Sequence, residues 1–146
     1  FIVSADITFR HIIDDETRRL TRQMKRNSVL AATQLRNTAL EVLAGSRSGG
    51  RKYRVPGTKK YYTASAPGQP PAVRTGSFRN SWKPSAFQAG EQYVSRIESS
   101  LQTDNGGYLL GEILENGTSC MAARPYAEKI KQWALPHIMQ IYSTPY

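Results

Sequence analysis

The sequence predicts an α+β fold: a small antiparallel sheet packed by one long N-terminal helix and a C-terminal helix, with a long extended arm at about 47–75. Three observations predict it. An apolar stripe recurs at helical spacing through residues 20–43, and a second runs through residues 130–141. Between them lie short segments in which apolar and polar residues alternate. The 146 residues read as a single domain, 1–146, with room for one modest core.

Taken in order, residues 2–9 (IVSADITF) are rich in β-branched and aromatic residues, and predict a short strand. Asp14, Asp15, Glu16 and Thr17 follow, suited to the N-terminus of a helix, where acids meet free N–H groups and complement the dipole. Leu20, Met24, Ala31, Leu35, Ala39 and Val42, with Leu43 beside them, then recur at three-, four- and seven-residue steps, while the basic residues fall mostly elsewhere. That spacing predicts an amphipathic helix of about 30 residues, with Gly45 as its stop.

Residues 46–75 form a flexible, basic arm rich in glycine and proline. In its middle Pro56-Gly57, flanked by Tyr53, Val55, Tyr61 and Tyr62, predicts a type II turn at the tip of a β-like arm. Residues 77–82 read as a strand that Pro84 interrupts or ends. Residues 93–101 read as a clearer one, with Tyr93, Ile97 and Leu101 on one face and Arg96 and Glu98 on the other. Residues 104–107 (DNGG) form a turn, and residues 108–114 a short strand or helical turn that Gly117 breaks. Pro125 opens the last helix as its first residue, Ile130, Trp133, Ala134, Ile138 and Ile141 form its buried face, and Pro136 kinks it.

The charge is uneven. The formal net charge is +9, and between Glu41 and Glu91 there is no acidic side chain. That interval holds Arg47, Arg51, Lys52, Arg54, Lys59, Lys60, Arg74, Arg79 and Lys83, so it attracts polyanions, either nucleic acid or an acidic protein surface. Tyr53, Tyr61 and Tyr62 among those cations are candidates for stacking on single-stranded bases.

Catalytic chemistry finds little support. The acids at 14–16 read as a helix start, and His11 and His137 lack companions at metal-ligand spacing. Cys120 has no histidine near it, and as the single cysteine it leaves no internal disulfide framework. The glycines and lysines of residues 45–60 do not form a phosphate loop, and the glycosylation sequon at Asn116 has no secretory leader to give it meaning. No membrane segment or signal peptide is expected. The expectation is a protein that is not an enzyme, with no catalytic residue, cofactor or metal.

Two stretches, 65–82 (SAPGQPPAVRTGSFRNSW) and 108–130 (YLLGEILENGTSCMAARPYAEKI), with the long helix before them, resemble the neck and tail-completion (head–tail joining) proteins of tailed double-stranded DNA phages. That family is typified by the tenth gene product of the Hong Kong lambda-like coliphage and is similar to the minor tail protein Z of phage lambda. Its members carry a proline-glycine run followed by Thr-Gly-x-Leu-Arg-x-Ser, here Thr75-Gly76-Ser77-Phe78-Arg79-Asn80-Ser81. Later they carry a Glu-aromatic-Gly-Thr step and Ala-Arg-Pro-aromatic, here Glu115-Asn116-Gly117-Thr118 and Ala123-Arg124-Pro125-Tyr126. Phe78 and Asn116 depart from the pattern, and the arm is longer and more basic than it requires.

The resemblance implies a structural virion component, assembled in the host cytoplasm, that forms a homo-oligomeric ring at the head–tail junction. A hexamer is favoured and a dodecamer is the alternative. The implied partners are the tail tube or tail terminator protein and the head connector or stopper proteins, with passing contact to genomic DNA. The arm residues Arg47, Arg51, Lys52, Tyr53, Arg54, Lys59, Lys60, Tyr61 and Tyr62 are then candidate subunit or partner contacts. In this reading Gly68, Pro70 and Pro71 hold the chain extended as it re-enters the body, Gly76 and Gly117 supply turn conformations, and Arg124 seeks a bidentate partner such as Glu115. The other reading is a nucleic-acid-binding module that uses the basic arm.

Overall fold

The computed structural model describes residues 2–44 (side chains from Ile12 onward), 49–55, 57–73, 76–103, 107–143 and 145. The architecture is α+β. Helix α1 (Ile2–Val42) is followed by a hairpin of β1 (Lys52–Arg54) and β2 (Tyr61–Thr63), then the short helix α2 (Ser77–Asn80). A second hairpin, β3 (Lys83–Ala89) and β4 (Gln92–Glu98), leads to helices α3 (Leu110–Asn116) and α4 (Ala127–Ser143). The strands make two separate two-stranded antiparallel sheets, not one.

The expected strand at residues 2–9 is instead the start of α1, which is 41 residues and about 60 Å long. A strand there has no neighbour to pair with. A helix already formed downstream extends through β-branched residues at small cost, because propagation avoids the expense of nucleation. Asp14, Asp15 and Glu16 therefore lie inside the helix, not at its start. Asp15 and Glu16 pair with Arg18 and Arg19 one turn on, at 3.5 and 2.5 Å, on an exposed surface. The Arg19 guanidinium holds the Glu16 carboxyl below the usual range. The proposed stop at Gly45 lies outside the described residues, as do the turn residues 104–106.

The buried face of α1 begins later along the helix and is smaller in side-chain size than the stripe predicts. Ala31, Ala39, Val42 and Leu43 are buried as expected, Leu20 and Leu35 are half-buried, and Met24 is exposed. Asn27, Ser28, Ala32 and Thr38 complete the face. Small residues let neighbouring backbones approach. β3 and β4 lie against α1, where the Ser95 hydroxyl donates to the Ser28 carbonyl (2.7 Å) and Arg36 Nε to the Trp82 carbonyl (3.0 Å).

The β3–β4 register pairs Pro84 with Ile97, Ala86 with Ser95 and Gln88 with Tyr93, which places Tyr93 and Ile97 on the α1 side as predicted. Leu101 lies beyond the strand. Gly90, at φ +61, supplies the left-handed first position of the two-residue turn between Ala89 and Gln92. Pro84 sits within β3 and does not end it, because a two-stranded sheet has only edge strands, where a missing donor is tolerated.

Residues 77–82 are not a strand. Gly76, at φ +81, turns the chain into α2, and the Asn80 N–H returns to the Gly76 carbonyl (2.9 Å). One helical turn brings Phe78 and Trp82 to the same side, toward the core.

α4 runs antiparallel to α1. Ile130 packs with Ala39, Val42 and Leu43 near its start, and Gln140 and Ile141 face Gln23 and Asn27 near its end. Ile130 and Ala134 are buried, and Ile138 and Ile141 are half-buried. Trp133, expected inside, is exposed, with the Lys129 ammonium 4.9 Å above its ring. The helix runs on through Pro136. Among the described residues no helix is long and apolar enough to cross a membrane.

Candidate functional site

The two stretches quoted above, 65–82 and 108–130, meet in space. Their centre is Tyr126, which is 5% exposed. Its ring stands edge-on to Phe78 and Trp82, with centroids at 5.5 and 5.8 Å, and those two rings meet at 5.7 Å, so the three aromatics close a triangle. The phenol donates to the Gly111 carbonyl (2.9 Å). A Cβ at Gly111 would stand 2.8 Å from that phenol oxygen, so the glycine makes room for it. Burial, then the Glu115 and Glu112 carboxylates, push the phenol up to about 12.

Glu115 caps α4. Its Oε2 accepts the backbone N–H of Tyr126 (2.9 Å) and of Ala127 (3.2 Å), two donors that the first turn of a helix leaves free. The helix accordingly begins at Ala127, two residues later than Pro125 would set it. Arg124 does not pair with Glu115. Its Nη1 donates to the carbonyl and the hydroxyl of Ser65 (2.7 Å to Oγ), and its backbone N–H donates to the Leu114 carbonyl (2.7 Å). The reason is the capping: both helix-start amides face the Glu115 carboxylate, while buried Ser65 offers two oxygens to the guanidinium fork.

The remaining motif residues close the same junction. The Gly68 N–H donates to the Ala123 carbonyl (3.1 Å), and Pro71 is buried behind it, with Pro70 half-buried. Arg79 Nε donates to the Leu40 carbonyl (2.9 Å), one of the acceptors left free at the end of α1. Gly117 ends α3 at φ +76, and a Cβ there would stand 2.7 Å from Ala123 N and 2.8 Å from the Met121 carbonyl oxygen. Thr118 bridges to Met121 across the turn that carries exposed Cys120. Thr75 and Arg47 lie outside the described residues.

The basic hairpin adjoins the junction across a cleft. Lys52 pairs with Thr63, Tyr53 with Tyr62, and Arg54 with Tyr61. The Val55 N–H donates to the Lys60 carbonyl (2.8 Å) and the Thr58 N–H to the Val55 carbonyl (3.1 Å). With Gly57 at φ +74, this is the hydrogen bond and the second-position backbone sign of the expected type II turn, whose Pro56 lies outside the described residues. Gly50 lies at the base, where a Cβ would collide with the Ala64 carbonyl. The tyrosines 53 and 62 stack at 5.9 Å and line a cleft of about 700 Å³ against the body, with Leu43, Phe78, Leu101 and Met121 among its walls. Arg51, Lys52, Arg54, Lys59 and Lys60 are all exposed.

Comparison with family models, curated proteins and solved structures finds no match. Among the described residues no group of histidine, cysteine and acidic side chains is placed to hold a metal ion. His137 lines a shallow groove between α1 and α4 with Gln23 and Asn27.

Sequence reasoning gave no role to Ser65 or Gly111. Gly111 carried a signal, since a glycine inside a helical segment marks a close approach. Ser65 carried none, because a serine in a Pro/Gly-rich stretch reads as solvated.

Proposed function

We propose that the chain is a structural subunit of a tailed-phage virion, which assembles into a ring at the head–tail junction and joins the tail tube to the head connector. The observation that carries this reading is the apolar surface a lone subunit leaves open. On α4, Leu135, Met139 and Tyr142 form an exposed row at helical spacing. On α1, Ile12 and Ile13 form one exposed patch, and Val29 and Leu30 form a separate one, about 25 Å further along and about 100° round the helix. Among the described residues α4 ends beside Gln23, so the first patch lies beyond it. Exposed apolar surfaces on different elements suit a head-to-tail contact, which closes into a ring when the rotation between subunits permits.

The interlocked motif junction adds support. The two stretches that resemble the neck proteins form one structural unit, built from capping and packing rather than from nucleophiles or bases. Six subunits are favoured by the resemblance, and twelve are the alternative.

Native mass spectrometry of the purified protein, alone and with tail tubes, tests the reading. A closed ring alone, or one that appears only with tubes, is expected. A monomer under both conditions overturns it.

A further inference from the structure

We infer that the outward face of the hairpin 52–63 is a binding surface for duplex DNA, which holds the phosphate backbone as a two-stranded ribbon without reading base sequence. The strand period sorts the hairpin into two unlike faces. Paired residues share a face, so stacked Tyr53 and Tyr62 turn toward the cleft, and Lys52, Arg54, Tyr61 and Thr63 occupy the other side. Tyr61 is 68% exposed, the same as the most open tyrosine elsewhere in the described chain. Arg51 adjoins one strand, and Lys59 and Lys60 lead into the other.

Two features distinguish this face from a merely solvated surface. The first is its uncompensated charge. Five cations lie within one small hairpin, and no carboxylate pairs with any of them among the described residues. No acidic side chain occurs between Glu41 and Glu91 to supply one. Like charges held this close repel, and an external polyanion relieves that repulsion. The second is the orientation of Arg54. Its Nε donates to the Thr58 carbonyl (2.7 Å), which holds the guanidinium across the turn, and among the described residues its terminal nitrogens make no hydrogen bond, so they are available to a phosphate.

Shape favours duplex DNA over an acidic protein. A two-stranded ribbon fits the major groove, about 12 Å wide, while lysine, arginine, tyrosine and threonine donors meet the flanking phosphates. The inference does not depend on the ring, since the hairpin is hydrogen-bonded within one chain.

The test is fluorescence anisotropy of a labelled 30-base-pair duplex titrated with the full chain across a range of salt concentrations. A log–log slope near −4 is expected, about −0.9 for each phosphate neutralised, with equal affinity for two unrelated sequences. The variant Lys52→Gln/Arg54→Gln/Lys59→Gln/Lys60→Gln is expected to lose most of that slope and to bind at least tenfold more weakly. A control with Arg22→Gln/Lys25→Gln/Arg26→Gln on α1 is expected to keep the slope. Equal losses in both variants overturn the proposal, as does a wild-type slope shallower than −1. Equally tight binding of polyglutamate assigns the face to an acidic protein and also overturns it. Urea midpoints confirm that each variant is folded. Native masses of the same samples report the ring separately, so either reading fails without the other.

Discussion

Gly117 and Gly57 share a positive φ but not an environment, and Gly117, at ψ −177, sits in a region that glycine occupies almost exclusively. A Cβ on Gly57 meets nothing within 4 Å, whereas one on Gly117 meets backbone atoms of Met121 and Ala123 under 3 Å away. Gly57→Ala is therefore expected to cost about 1 kcal/mol, the conformational term alone. Gly117→Ala is expected to cost on the order of 3 kcal/mol, since backbone must move as well. Urea unfolding of the two variants measures the difference. Tyr126 predicts a pH effect of definite sign. Its phenol is raised from 10.0 to about 12 in the fold, so the folded state holds the proton more tightly than the unfolded chain. The associated stability is intact below pH 10 and is lost as pH rises through about 12. The urea midpoint is expected to fall across that window, and less steeply in Tyr126→Phe.

At the scale of elements, α4 depends on a residue from another helix for its start. Glu115→Ala is expected to cost about 1–2 kcal/mol and to speed hydrogen exchange in the first turn of α4, with Glu115→Gln losing roughly half as much. Arg124→Ala leaves the buried Ser65 carbonyl without its donor, at about 2 kcal/mol by chemical denaturation. That is the cost of an internal stitch rather than of a surface ion pair. The elements that were legible in advance have strong local signals: the α1 stripe, the alternation of β4, the Pro-Gly turn, and the α4 face at Ile130 and Ala134. Those that were not legible depend on partners remote in sequence. Residues 2–9 have strand composition but no strand to join. Trp133 is an exception, since it has a core residue's identity but is exposed beneath Lys129, one turn away on its own helix. Arg124 and Glu115 are adjacent in any motif reading, yet each is claimed by a different backbone.

For the whole molecule, the open row on α4 predicts that association and folding separate. Leu135→Asp with Met139→Asp is expected to change subunit stability by less than about 1 kcal/mol, because both side chains are already exposed. The same pair is expected to shift the species seen by sedimentation toward monomer. The candidate site was legible in part at this scale. The motif order picked out two stretches that the fold brings together, but not that they interlock around Tyr126, because aromatic triangles and capping carboxylates leave no periodic trace. The packing of α1 against α4 has a kinetic consequence. The buried side of α1 leaves the ribosome before α4, the helix that completes its cover. During synthesis Ala39, Val42 and Leu43 meet Phe78, Trp82 and Ile97 first and wait for Tyr126 and Ile130, so the last side of the core closes late and across a long span of chain. The nascent chain is thus a substrate for chaperones that bind apolar helices. Ribosome-bound chains truncated before Ala127 should remain protease-sensitive along α1, and chains that include α4 should not.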